Sequence, residues 1–144
     1  YECREEYVSL TKELEQLEKY IRLSELQIEE RGEVIFTGPE QVGELKIAPL
    51  ILMVFVENAF KHSQASQSEG ISIKVDIALN DGDQLVFVCE NTYRSETNNE
   101  QIPKGIGLIN VMKRLELLYP ADYTLEIDDR NGKYHVRLLL NLTT

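Results

Sequence analysis

From Thr11 to about Glu30 the apolar residues Leu14, Leu17, Ile21 and Ile28 recur at helical spacing among Glu and Lys, with Leu10 one turn earlier. This predicts an amphipathic helix with Thr11 as N-cap and Gly32 as its stop. Its apolar stripe suits the core or a partner helix. Val34-Ile35-Phe36 reads as a short strand closed by Gly38-Pro39, and a second extended piece runs through Leu45 to Ile47. Pro49 fits the first position of a helix running to about His62. That helix is apolar nearly all round until Glu57, so it is expected to be buried.

Ile71, Ile73, Val75 and Ile77 alternate with Ser72, Lys74 and Asp76 as in a half-buried strand, and Asn80-Asp81-Gly82-Asp83 turns it back. The return strand, Gln84 to Glu90, is apolar on both faces, as a central strand is. Thr92 to Lys104 is polar and aperiodic and reads as a long loop. Leu108, Val111, Met112, Leu115 and Leu118 mark an amphipathic helix over Gly107 to Tyr119, stopped by Pro120. Two strands follow, Tyr123 to Ile127 and Tyr134 to Leu142, joined by a turn at Asp129-Arg130-Asn131-Gly132. These elements predict an α/β sandwich (α+β), with helices packed on one face of a mixed, mostly antiparallel sheet.

A length of 144 residues suits one such unit, and a net charge of −10 opposes binding to phosphate backbones, so no direct nucleic acid partner is expected. A single nucleotide stays compatible with that charge, because local amides, a metal and one or two cations hold it. Cys3 and Cys89 are far apart and read as reduced thiols, Cys89 as a core residue. The apolar stretch Ile47 to Val56, broken by Pro49, is too short to cross a bilayer. The chain opens on Tyr1-Glu2-Cys3 without an initiator Met, as a piece of something larger would.

Two segments break the pattern of apolar core and plain loop. At the end of the second helix, Glu57, Asn58, Lys61 and His62 project from one side. A carboxylate with an amide oxygen suits Mg²⁺, and Lys61 and His62 suit phosphate oxygens; a solvated helix end has the same composition. Gly105 and Gly107 stand between a polar loop and a helix, where bare amides and the helix dipole can cradle phosphates; alone, they equally mark a hinge.

Taken together, PLILMVFVENAFKH (Pro49 to His62), a hairpin, a long loop and GIGLINVMKRLELLYP (Gly105 to Pro120) resemble the GHKL superfamily of ATPases and kinases. The closer resemblance is to LytS-type sensor histidine kinases. It implies a Bergerat-type ATP-binding fold, with residues 1–32 as the end of a dimerisation region and linking helix (Leu10 to Leu23 within it), and 33–144 as the ATP-binding catalytic domain. Carried over by residue, it implies Asn58 on the Mg²⁺ that bridges the ATP phosphates and Glu57 as the catalytic carboxylate on a metal-bound or nearby water. Lys61 and His62 approach the phosphates, and Gly105, Gly107 and Leu108 bind the nucleotide where the lid, Thr92 to Lys104, meets its helix.

Where the superfamily has an Asp followed by glycines for the adenine amine, this chain has Glu90-Asn91-Thr92-Tyr93-Arg94. Asn91 is the candidate adenine contact, since its amide oxygen accepts and its nitrogen donates. The resemblance further implies a response regulator as partner, with a LytTR DNA-binding domain among the candidates. It also implies a homodimer through the upstream dimerisation region and a cytoplasmic position beneath an inner-membrane sensor. The phosphoacceptor histidine belongs upstream, and neither His62 nor His135 fits that role, so the chain is expected to bind Mg-ATP without autophosphorylating. His135 reads as a surface or edge residue, and Tyr7, Tyr20, Tyr119, Tyr123 and Tyr134 as packing residues with wet hydroxyls. A GHKL serine kinase and a degenerate interaction domain are the alternatives.

Overall fold

The computed structural model describes residues 7–81, 83–93 and 106–144. In chain order the elements are β1 (Val8–Ser9), α1 (Leu10–Ile28), β2 (Gly32–Thr37), β3 (Lys46–Ile47), α2 (Ile51–Ser66), β4 (Ile71–Asn80), β5 (Gln84–Thr92), α3 (Ile106–Leu118), β6 (Tyr123–Arg130) and β7 (Lys133–Asn141). Five strands form one mixed sheet in the order β2-β4-β5-β7-β6, parallel only between β2 and β4. The α/β sandwich expected from the pattern is the architecture formed. β3 falls within the extended piece expected over Leu45 to Ile47, whereas β1 and its antiparallel pairing with β3 were not predicted, because two residues carry no periodicity.

The stripe of α1 faces the common core: Leu10, Leu17, Ile21 and Ile28 are buried with residues of the sheet and of α2. Its cap is Ser9, whose Oγ accepts from Lys12 N at 3.4 Å, two residues before the expected Thr11. Nor is Gly32 the stop. The helix ends at Ile28, a 3₁₀ turn covers Glu29–Arg31, and Gly32 is the first residue of β2, opposite Ile71.

Helix α2 begins at Ile51, two residues later than Pro49 predicted, because Leu50 stands before it in the left-handed region (φ 66°). Two distant groups hold this entry. Leu50 N donates to Glu13 Oε2 at 3.0 Å, and Arg114 Nη1 donates to the Pro49 carbonyl at 2.7 Å. The helix runs past His62 to Ser66 and is buried on two sides, as its all-round apolarity implied. Phe55 lies against Phe87 of β5 (ring centroids 5.9 Å apart), and Phe60 meets Tyr20 of α1 edge-on (5.9 Å, 82°).

Strand β5 is central and longer than read, reaching Thr92, so Thr92 belongs to the sheet and not to the predicted loop. Leu85, Phe87, Cys89 and Asn91 point inward, while Gln84, Val86, Val88, Glu90 and Thr92 are half-buried on the other face. Burial, with the nearby Glu90 charge adding to it, pushes the Cys89 thiol up to about 12, which keeps it protonated and inert as expected of a core residue. The β6–β7 turn is Asn131-Gly132, both at positive φ (58° and 77°), as a two-residue type I′ connection requires. Tyr119 is no wet packing residue: its buried hydroxyl accepts from Ala48 N at 2.9 Å, tying the α3 end to the start of α2.

Candidate functional site

Helix α2 carries three landmarks on its way across the sheet. Near its start, Val54 lies beneath the first turn of α3, 3.7 Å from where a Cβ on Gly107 would stand. One turn on comes Asn58. Five residues further, the fully buried Ser63 donates through Oγ to the Thr92 carbonyl at the end of β5. At 1.5 Å rise per residue, these landmarks span about 13 Å along the helix axis. Along the axis of α2, Asn58 therefore lies at a height between Val54, beneath the start of α3, and Ser63, at the end of β5.

The four polar residues of α2 divide by depth. Glu57 and Lys61 are exposed, whereas Asn58 and His62 are half-buried, one position round toward the sheet. Among the described residues the side chains of Glu57, Asn58 and Lys61 make no hydrogen bond or ion pair. The half-buried Asn58 carboxamide is therefore open to solvent or to a ligand. His62 lies against Tyr134 of β7, ring centroids 6.3 Å apart, and Tyr134 is the register partner of Asn91.

Burial lowers the His62 pKa, and the neighbouring Lys61 charge lowers it further. The imidazole is therefore neutral at pH 7, and Lys61 is the cation of this pair. As pH falls, the unfolded chain takes up the proton first. The stability carried by neutral His62 is complete above the ordinary value of 6.5 and is lost as the pH drops through it toward the lower folded value. Replacing His62 by Gln is expected to flatten the fall in melting temperature between about pH 7 and pH 5, read by circular dichroism.

Strand parity separates Asn91, the expected base contact, from its neighbour Glu90. Asn91 is buried on the face that meets α2, its Nδ2 donating to the Thr92 carbonyl at 3.1 Å. Glu90 points to the opposite face, where its Oε2 lies 2.8 Å from His135 Nδ1. His135 is thus a partly exposed residue of β7, inside the sheet between β5 and β6 and not at its edge. Just beyond Thr92, Tyr93 N donates to the Gly132 carbonyl at 3.0 Å and its hydroxyl bonds Asp129, which pushes the Tyr93 pKa up to about 12.

At the other end, Ile106, Gly107 and Leu108 are the first residues of α3, whose N–H groups have no partner within the helix. No acidic residue occupies that first turn, where the positive end of the helix dipole lies. The Leu108 side chain is buried in the core, which leaves its backbone N–H as the group able to meet a ligand. Gly105 and the predicted lid from 94 to 104 lie outside the described residues. Sequence reasoning missed Ser63, whose signal was a polar residue one turn beyond the apolar face of α2.

No family model matches the chain. It is 26% identical over 142 residues to the sensor protein LytS of Enterococcus faecalis and 25% identical over 140 residues to the sensor histidine kinase BtsS of Escherichia coli K12. These alignments cover 91% and 95% of this chain but 24% of each relative, so the chain spans about a quarter of the curated relatives it matches. Among solved structures, the histidine kinase domain of the Erythrobacter litoralis EL346 blue-light activated kinase superposes with a TM-score of 0.67 at 10% identity, over 97% of this chain and 65% of that one. The mycobacterial sensor histidine kinase MprB gives 0.61 at 15% identity, over 95% and 98%. The fold is that of histidine kinase catalytic domains, and in sequence the chain is similar to LytS-type sensor proteins.

Proposed function

From a chain with LytS-type relatives and a histidine kinase catalytic fold, we propose the ATP-binding catalytic domain of a sensor histidine kinase. In this reading it binds Mg-ATP and passes the γ-phosphoryl group to a histidine outside these 144 residues, for relay to a response regulator. Residues 33–144 form the catalytic domain, and residues 1–32 the end of the dimerisation region and the linking helix, through which the parent protein dimerises. The domain lies on the cytoplasmic side of a membrane sensor; among the described residues no helix is long and apolar enough to cross a membrane.

One observation carries the proposal: along α2, the half-buried Asn58 follows Val54, which lies under a helix N-terminus with no acidic residue in its first turn, and precedes Ser63, which is bonded to the strand end that carries the buried Asn91. Phosphates suit the helix N-terminus and a purine edge suits Asn91. Among the described residues no group of three or more His, Cys, Asp or Glu could hold a metal ion by itself. That fits Mg²⁺, which keeps waters and is held largely by substrate phosphates, with a single protein oxygen from Asn58. Glu57, exposed one position away, orients water around such a complex, and Lys61 offsets phosphate charge.

Titration calorimetry tests the reading. The 144-residue chain is expected to bind Mg-ATP, and Asn58→Ala to weaken that binding by about 30-fold or more, as loss of a metal contact does. Incubated alone with γ-labelled ATP, the chain is expected to take up no label. A second reading, an interaction domain that has lost nucleotide, is favoured by the commitment of Glu90 to His135, which leaves no carboxylate at the base position. No binding heat from the unaltered chain would establish that second reading.

A further inference from the structure

The end of β5 is held in an unusual way. The last β4–β5 register pair is Ile73 with Asn91, so Thr92 lies beyond the ladder. Its hydroxyl takes over the contact to β4, accepting from Ser72 N at 2.9 Å and donating to Ser72 O at 3.5 Å. The Thr92 carbonyl is then met by two side chains, Ser63 Oγ from α2 and Asn91 Nδ2. Ser63 is 0% and Asn91 2% exposed while Thr92 is half-buried, so both donors are shielded from water and costly to leave unpaired.

Donor chemistry orients the amide. A carbonyl only accepts, so the end of the Asn91 carboxamide facing Thr92 is its NH₂ group, and Oδ1 is the end left over. Among the described residues Oδ1 accepts no hydrogen bond. An acceptor there matches the exocyclic amine of adenine and meets the O6 carbonyl of guanine oxygen to oxygen. A freely turning carboxamide would serve either base.

We infer that Ser63 is a positioning residue for base recognition. It holds the Thr92 carbonyl against α2, and that carbonyl holds Asn91 with Oδ1 as its free acceptor, which favours a purine with an amine at C6 over one with a carbonyl there. The inference rests on the proposed nucleotide site and adds to it a residue that touches no ligand.

Calorimetry on the 144-residue chain with Mg-ATP, Mg-GTP and Mg-tripolyphosphate, which lacks a base, separates this role from a general structural one. The unaltered chain is expected to bind ATP at least about 10-fold tighter than GTP. In Ser63→Ala, ATP affinity is expected to fall about 5- to 10-fold and the ATP:GTP ratio to narrow, with tripolyphosphate affinity unchanged within about twofold. Equal losses for ATP and tripolyphosphate, or no loss at all, would overturn the inference while leaving the proposed function standing. An unaltered chain that ignores all three ligands would overturn both. If Ser63→Ala does not fold, Ser63→Cys, similar in size and a weaker donor, carries the same comparison.

Discussion

Phe60→Ala is expected to lower the stability of the fold by about 3–5 kcal/mol, the range for removing a buried aromatic ring without refilling its space. For a chain of this size that is a fall in melting temperature of roughly 10 °C or more. Phe60 is 1% exposed and packs edge-on against Tyr20, so its ring joins α2 to α1. It also lies between Asn58 and Lys61 in sequence. Loss of the ring frees α2 to shift in its seat, so nucleotide affinity is expected to fall along with stability. Thermal melting with and without Mg-ATP separates the two effects: stabilisation by ligand should be smaller in the variant than in the parent. A melting point within about 2 °C of the parent would show that α1 does not depend on this contact.

The second large effect is expected at Gly32. A Cβ there would lie 2.1 Å from the Ile71 carbonyl oxygen and 2.6 Å from the Ile71 Cβ, which no rotamer change relieves because the nearest atom is backbone. Gly32→Ala must force β2 away from β4 at the start of their parallel pairing, at about 1–3 kcal/mol. Gly38→Ala is the control. Its Cβ would come within 3.3 Å of the far end of the Phe36 ring, which can move, so its melting temperature should stay close to that of the parent. Hydrogen exchange should show faster exchange along Gly32–Thr37 in Gly32→Ala alone.

Gly32 also shows what was and was not legible. A glycine after an amphipathic run reads as a helix stop, yet the space it leaves is used by a strand 39 positions further on. Pro49 misled in a similar way. Its helix signal is local, whereas the true entry at Ile51 depends on Glu13 and Arg114, which belong to other elements. Ser9 displaced Thr11 as cap because β1 pairs with β3 and so sets where α1 can begin.

The identity of most elements was readable because burial follows period. Leu14, Leu17 and Ile21 at helical spacing and Ile71, Ile73 and Val75 at alternate positions leave one way each to hide their apolar faces. The residue types at the site were readable too, since Glu57, Asn58, Lys61 and the glycines near α3 break that apolar logic. Their assembly was not. Whether Glu90 or Asn91 faces the helix layer depends on the pleat of β5, and a single-residue slip in register would exchange them. The place of Ser63 depends on the Thr92 carbonyl leaving the β4 ladder, a hydrogen bond between positions 29 apart in the chain. Local pattern therefore determined which segments fold and which side chains stand out from the core. Only tertiary packing decided which of them meet, because hydrogen bonds between distant elements form wherever the sheet and helix layers bring donors and acceptors together.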